Sequence, residues 1–177
     1  MMQQMEASNS ICASKYKEII TKAVCGNATK FFTLTQLIEP PKGQCPTKIL
    51  GTTVTKLRLG NVTNIAKAMT GQDLGAKISG SFEIHVWYAH NNGNSTDATR
   101  QHVQFEKFIP IPDLDEGTIR ILEARVETIK SPECLESSVT GEHNIKVKVE
   151  LGVFVELIGE TRILVCTCQP DGEDDDS

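Results

Sequence analysis

The 177-residue sequence has no long apolar run, few aromatic residues and no excess of positive charge. No stretch approaches the roughly 18 consecutive apolar residues that a membrane-spanning helix needs, so we expect no membrane insertion. The net charge is −5 and no basic stripe is present, which argues against nucleic acid as a partner. The first residues contain neither the basic region nor the apolar core of a secretory signal, so we expect a protein made and kept in a cytosol.

Catalytic and cofactor motifs are also missing from the sequence. It contains no G-x-S-x-G, P-loop or H-E-x-x-H motif, so we expect neither an enzyme nor a bound cofactor. Of the four histidines, His85 and His102 are predicted to face each other across a hairpin, which leaves a metal site open as an alternative. Two solvated histidines on an exposed face are the more ordinary interpretation.

The sequence does contain long stretches in which apolar and polar residues alternate. In segment 78–90 (ISGSFEIHVWYAH) the even positions are mostly apolar, and in segment 145–157 every odd position is apolar. A period of two is typical of strands with one buried face. Turn-forming residues at 91–95 and 140–144 predict a hairpin beside each long strand. Trp87 falls on the polar face, but its size favours burial under a second layer.

Shorter alternating segments predict further strands at 16–25, 30–38, 48–59, 99–111, 118–130 and 161–168. Segment 16–25 also fits a helix, but its isoleucine, threonine and valine content favours a strand. The leucine, glutamate, alanine and arginine content of segment 118–130 also allows a helix, although its alternation is that of a strand. Turns are predicted at Gly26-Asn27, 39–43, 131–134 and Gly159-Glu160, and segment 60–75 is predicted to be a connection over one end of the core. The pattern indicates an all-β fold, an antiparallel β-sandwich or jelly-roll-like domain of about eight to nine strands.

The two ends of the sequence differ in composition from its middle. We expect residues 1–14 to be a flexible lead, residues 15–168 to form a single β-rich domain and residues 169–177 to be an acidic, disordered tail. Removing the five tail acids from the 23 acidic residues leaves 18, equal to the 18 basic residues, so the body is nearly neutral. The tail either increases solubility or docks partner proteins, and its acids are Asp171, Glu173, Asp174, Asp175 and Asp176.

Six cysteines are many for a cytosolic chain of this size. Cys166 and Cys168 share one face of the last predicted strand, about 7 Å apart by strand rise. No C-x-x-C pair accompanies them, so the indication of a metal site is weak. Cys25 and one of the C-terminal pair are candidates for inert buried thiols. Candidates for cross-links between chains are Cys12, Cys45, Cys134, Cys166 and Cys168.

Several short segments, taken in order, resemble the CotE family of bacterial outer spore coat morphogenetic proteins. They are YKEIITK followed by AVCG at 16–26, ILG at 49–51, VWY at 86–88, PECLE at 132–136 and GETR at 159–162, with the acidic C-terminus. The resemblance covers roughly residues 15–177. It implies a non-enzymatic protein made in the mother-cell cytoplasm, which self-assembles around the developing spore and recruits other spore coat proteins. From the residues alone, the alternative is a cytosolic β-sandwich module that binds a small ligand or a metal.

Overall fold

The computed structural model describes residues 15–62, 64–67, 74–141 and 143–167. They form seven strands: β1 Lys15–Ile38, β2 Pro46–Leu59, β3 Asn64–Lys67, β4 Leu74–His90, β5 Ser95–Pro110, β6 Thr118–Thr140 and β7 Asn144–Thr167. All paired strands are antiparallel, in one sheet of order β1-β7-β6 and a second sheet in which β4 pairs with β2 and β3 on one side and with β5 on the other. The predicted all-β, sandwich-like fold is confirmed.

The two long alternating segments form the central strands, β4 and β7, and supply most of the core. The odd positions of β7 from Ile145 to Leu157 are all fully buried, and so are the apolar even positions of β4 from Phe82 to Tyr88. They belong to one hydrophobic cluster between the sheets. The rings of Phe32 in β1 and Phe105 in β5, with centroids 5.8 Å apart, join the sheets along one side. The period-two prediction is therefore confirmed for both strands.

Three predicted turns are wrong, because the chain continues through each of them as a strand. At Gly26 the β1–β7 register shifts by one residue, so the buried Cys25 is the extra residue of a β-bulge. At Pro132 the β6–β7 pairing is interrupted between Lys130 and Glu133. Proline has no N–H group to donate to the neighbouring strand, so it fits at such a break. At Gly159, β7 runs on without interruption to Thr167. Long bulged strands explain why the prediction of eight to nine strands was too high.

Segment 60–75 also differs from its prediction as a plain connection. Within it, the backbone of β3 pairs with the first residues of β4, Leu74 to Lys77. The predicted hairpin tip at 91–95 is confirmed: Asn91, Asn92 and Gly93 adopt positive φ angles, which asparagine and glycine tolerate best. Across the described ranges, the protein has no helix long and apolar enough to cross a membrane.

The predicted burial of Trp87 is wrong. Its side chain is 44% exposed on the outer face of the β4 sheet, where its ring stacks against the imidazole of His85 with centroids 6.4 Å apart. The sheet has only one covered face in the described part of the chain, and the odd positions of β4 point away from it. Trp87 is therefore a surface residue that keeps an aromatic face available for contact.

Candidate functional site

The four cysteines that the structure describes are all free thiols, and they differ in accessibility. Cys25 is buried at the β1 bulge, as expected for an inert thiol. Cys134 is half-buried in β6, whereas Cys45 and Cys166 are exposed. Two further candidates for cross-links, Cys12 and Cys168, lie outside the described residues, as do the five acids of the tail.

Cys45 lies in the loop between β1 and β2. Its Sγ is 3.3 Å from Nδ1 of His143, which belongs to the turn between β6 and β7. The preceding residue anchors the loop: Gln44 Nε2 donates a hydrogen bond of 2.8 Å to Asp97, and the hydroxyl of Tyr88 donates to Gln44 Oε1. The Cys45 thiol is thus presented to solvent on a loop that is fixed to two hairpins.

Cys166 lies near the far end of β7, opposite Tyr16 of β1. β7 contains 24 residues and begins beside His143. A rise of about 3.3 Å per residue gives the strand a length of up to roughly 70 Å between Asn144 and Cys166, so Cys166 lies far from Cys45. Since a disulfide requires Cα atoms within about 7 Å of each other, these two thiols cannot pair within one chain. Each of them faces solvent at one end of an elongated molecule.

Cys134 is less suited to cross-linking than the two exposed thiols. Burial raises the pKa of its thiol. The thiolate is the form that attacks a disulfide, so a raised pKa lowers the reactive fraction at neutral pH. The structure thus singles out Cys45 and Cys166 among the described candidates.

The two histidines considered for a metal site do not face each other. In the β4–β5 register, His85 lies opposite Arg100, and His102 lies opposite Glu83. His85 Nε2 is 3.4 Å from the carboxylate of Glu83, which also pairs with Lys56 Nζ at 2.9 Å. Among the residues described, no group of three or more histidine, cysteine or acidic side chains is placed to hold a metal ion.

The outer faces of the strands carry opposite charges in pairs. Arg120 donates two hydrogen bonds to Glu160, at 2.7 and 3.0 Å, and their contact lowers the pKa of the Glu160 carboxyl. In the same sheet, Arg125 pairs with Glu123 at 3.0 Å. Exposed pairs of this kind contribute little to stability. Their importance here is that they leave the outer faces nearly neutral, as the composition of the body predicts.

One end of the three-stranded sheet narrows to two strands. Because β6 begins at Thr118, opposite Thr161, residues 162–167 of β7 have no described strand partner other than residues 15–20 of β1. On the other side, the N–H of Arg162 still donates to Gly117 O at 3.0 Å. We call these two segments the ribbon. Its exposed apolar side chains are Tyr16, Ile19, Ile20, Ile163 and Leu164. The sequence analysis missed this surface, because the alternation predicts a strand but not where a neighbouring strand begins.

The comparisons with known proteins agree with the sequence resemblance. The profile of the family described as outer spore coat protein E (CotE) matches residues 15–177. Comparison with curated proteins and with solved structures gives no match. The family match includes every residue that the structure describes, from the first residue of β1 to the last of β7. The chain therefore belongs to the outer spore coat protein E (CotE) family.

Proposed function

We propose that this spore coat protein is a morphogenetic scaffold without enzymatic activity, which self-assembles around the developing spore and recruits other coat proteins. In this proposal the protein is made in the mother-cell cytoplasm and ends in the coat. The observation that supports self-assembly best is the placement of Cys45 and Cys166, exposed thiols at opposite ends of a long body. Cross-links at both ends join copies into chains, whereas thiols at a single end permit only small clusters.

The free strand edges of the body support the same proposal. Among the described strands, β1 pairs only with β7 over its 24 residues, so its other edge presents unpaired N–H and C=O groups. Such an edge is a template for pairing with another chain. Noncovalent pairing of edges would bring copies together. Disulfides would then fix the assembly, each forming as two thiols give up two electrons and two protons to an oxidant such as molecular oxygen.

Client recruitment is assigned to the acidic tail. The tail places five carboxylates next to a body of nearly neutral charge. Complementary charge increases the rate of encounter and selects partners of opposite sign, so basic coat proteins are the clients that this tail fits. The absence of enzymatic activity in this proposal rests on the structural character of the CotE family.

Self-assembly is tested by measuring the size of the purified protein at high concentration, with and without reductant. We expect species larger than a monomer in both conditions and a ladder of covalent multimers only without reductant. Cys45→Ser is expected to shorten that ladder to small oligomers, because exposed thiols then remain at one end only. Cys134→Ser, the matched control, is expected to keep the long ladder. A strict monomer in both conditions would overturn the proposal.

Removal of residues 171–177 tests the role of the tail. We expect this deletion to weaken the binding of basic coat proteins while self-assembly continues. A second variant, with each of the five acids replaced by its amide, should behave like the deletion, since charge is the proposed determinant. Binding by the full chain should also fall as salt is raised past about 0.1 M, where the screening length is about 10 Å. If the deletion variant binds basic coat proteins as well as the full chain does, the tail serves only to increase solubility.

A further inference from the structure

We propose that the outer face of the β4 sheet binds an uncharged polysaccharide whose sugars are β-1,4-linked. The site consists of the β4 residues that point away from the core, from Ser79 to Trp87, and their neighbours in β2 and β5. We call this surface the outer β4 face. The inference goes beyond the proposed scaffold, because self-assembly requires no carbohydrate. The β5 residues of this face are all exposed, so no described element covers them: Ala98, Arg100, His102, Gln104 and Glu106.

Trp87 provides an aromatic ring on which a sugar can pack. It lies directly opposite Gly51 in β2 and Ala98 in β5, so no large side chain on either neighbouring strand covers the indole. One face of a pyranose ring carries apolar C–H groups that are slightly positive, whereas the face of an indole is negative. Stacking of a sugar on Trp87 would therefore combine apolar contact with electrostatic attraction.

A polar trough of about 520 Å³ lies on the same face, nearer the start of β4. Its floor contains the small side chains of Ser79 and Ser81. Its walls are Arg58 of β2, with Gln104 and Glu106 of β5, which lie opposite the serines. These hydroxyl, guanidinium, amide and carboxylate groups include both donors and acceptors. They fit a ligand such as a sugar, whose hydroxyl groups also donate and accept.

A strained residue in β2 places Arg58 beside this trough. The β2–β4 register shifts between Thr55 and Arg58, and Lys56 within this bulge has a φ angle of 56°, which is uncommon for a residue with a Cβ atom. Without the extra residue, Leu57 would take the outward position opposite Ser81. Instead Leu57 packs against the core. Among the described residues Arg58 forms no ion pair, so its guanidinium is available to a ligand.

The arrangement of charges favours an uncharged polar ligand. Lys56 Nζ lies 2.9 Å from the carboxylate of Glu83, and Lys77 Nζ lies 2.7 Å from that of Glu106. A dry protein interface would remove these pairs from water, which is costly. Sugar hydroxyl groups can replace the water molecules around such pairs, because they form hydrogen bonds of the same kind. A single-stranded nucleic acid would need a positively charged groove, which a face of paired charges does not provide.

The length of the site indicates an extended chain of sugars. Ser81 and Trp87 lie on the same strand, six residues apart, so at about 3.3 Å per residue they are separated by roughly 20 Å. A single sugar cannot reach both the trough and the indole. A β-1,4-linked chain is an extended ribbon with accessible ring faces, whereas an α-1,4-linked chain curves into a helix. The nearly straight line of β4 fits the extended ribbon.

The test measures binding of three oligosaccharides to the full chain in reductant by titration calorimetry. Cellohexaose and chitohexaose are the β-1,4-linked probes, and maltohexaose is the α-1,4-linked control. We expect binding of at least one β-linked hexamer, with its dimer and maltohexaose roughly tenfold weaker or more. Because the ligand is uncharged, its affinity should stay constant when salt is raised past about 0.1 M.

Two pairs of variants locate the site. Trp87→Ala is expected to weaken binding roughly tenfold or more, as is typical for truncation of a central aromatic contact, and Trp87→Phe should retain most of it. Tyr16→Ala is the matched control, because Tyr16 is an exposed aromatic residue in the other sheet. Arg58→Ala should also weaken binding, whereas Arg125→Ala, at an exposed arginine in the other sheet, should not. A circular dichroism melt checks that each variant folds.

Each outcome supports or overturns the inference. If the wild-type protein binds neither β-linked hexamer, the outer β4 face is not a polysaccharide site. Equal affinity for maltohexaose would overturn the assignment of an extended chain, and undiminished binding by Trp87→Ala would overturn the assignment of this face. Molar mass is measured on the same samples. A monomer that binds the sugar would refute self-assembly alone, and an assembly that binds none would refute this inference alone.

Discussion

Replacing Leu151 with alanine is expected to lower the free energy of unfolding by about 2–5 kcal/mol. Leu151 is fully buried in the middle of β7, the strand that pairs with both β1 and β6. Its side chain belongs to the cluster between the two sheets. The substitution removes buried apolar atoms and leaves a cavity, since the paired strands on either side restrict collapse. A typical domain has about 5–15 kcal/mol of stability, so this is a large fraction of the total.

The measurement is urea unfolding in reductant at low protein concentration, where association contributes little to the apparent stability. The midpoint should fall while the slope m stays unchanged, as expected for a loss of native-state packing. Leu50→Ala is the control, because Leu50 is exposed and its truncation should change stability by less than about 0.5 kcal/mol. Similar losses for both variants would show that β7 is not the centre of the stabilising core.

The central strands could be predicted from the sequence because their alternation is a direct consequence of burial. Every second residue of β7 from Ile145 to Leu157 enters the core, and a slip of one residue would turn all of these side chains to the outer face. The hairpin turn after His90 could also be predicted, since Asn91, Asn92 and Gly93 are residues that adopt the positive φ angles of a tight turn.

The full lengths of β1, β6 and β7 could not be predicted from local sequence. Glycine and proline end a strand when a turn follows, but they also occur within a strand at a bulge or a close backbone approach. Which of these applies at Gly26, Pro132 and Gly159 depends on the neighbouring strand. The same reason explains why the ribbon was missed: its exposed edge exists because β6 begins at Thr118, a fact about pairing rather than about residues 162–167.

The cysteines show how far sequence reasoning could rank candidate sites. The sequence indicated Cys12, Cys45, Cys134, Cys166 and Cys168 as candidates for cross-links, but it gave no order among them. The structure ranks the exposed Cys45 and Cys166 above Cys134, because Cys134 is half-buried and the pKa of its thiol is raised. The separation of Cys45 from Cys166 follows only from the unbroken length of β7.

Replacing Gly159 with alanine is expected to destabilise the protein by about 1–3 kcal/mol. A Cβ atom at this position would lie 2.3 Å from the carbonyl oxygen of Arg120 in β6 and 3.0 Å from Sγ of Cys25 in β1. The first contact is with backbone, so β6 itself must move. The effect on unfolding should be visible as a lower thermal midpoint and a lower urea midpoint in reductant.

Gly51→Ala is the matched control, because Gly51 is also a strand glycine without a positive φ angle. The nearest atom to a Cβ at this position is a ring carbon of Trp87 at 3.9 Å, an ordinary contact. Alanine has fewer backbone conformations than glycine in the unfolded chain, so less entropy is lost on folding. The substitution should therefore leave the free energy of unfolding unchanged or raise it by up to about 1 kcal/mol. Opposite signs for the two variants would show that Gly159 is required by the close approach of β6. If both variants are stabilising, the close approach is not what constrains this position.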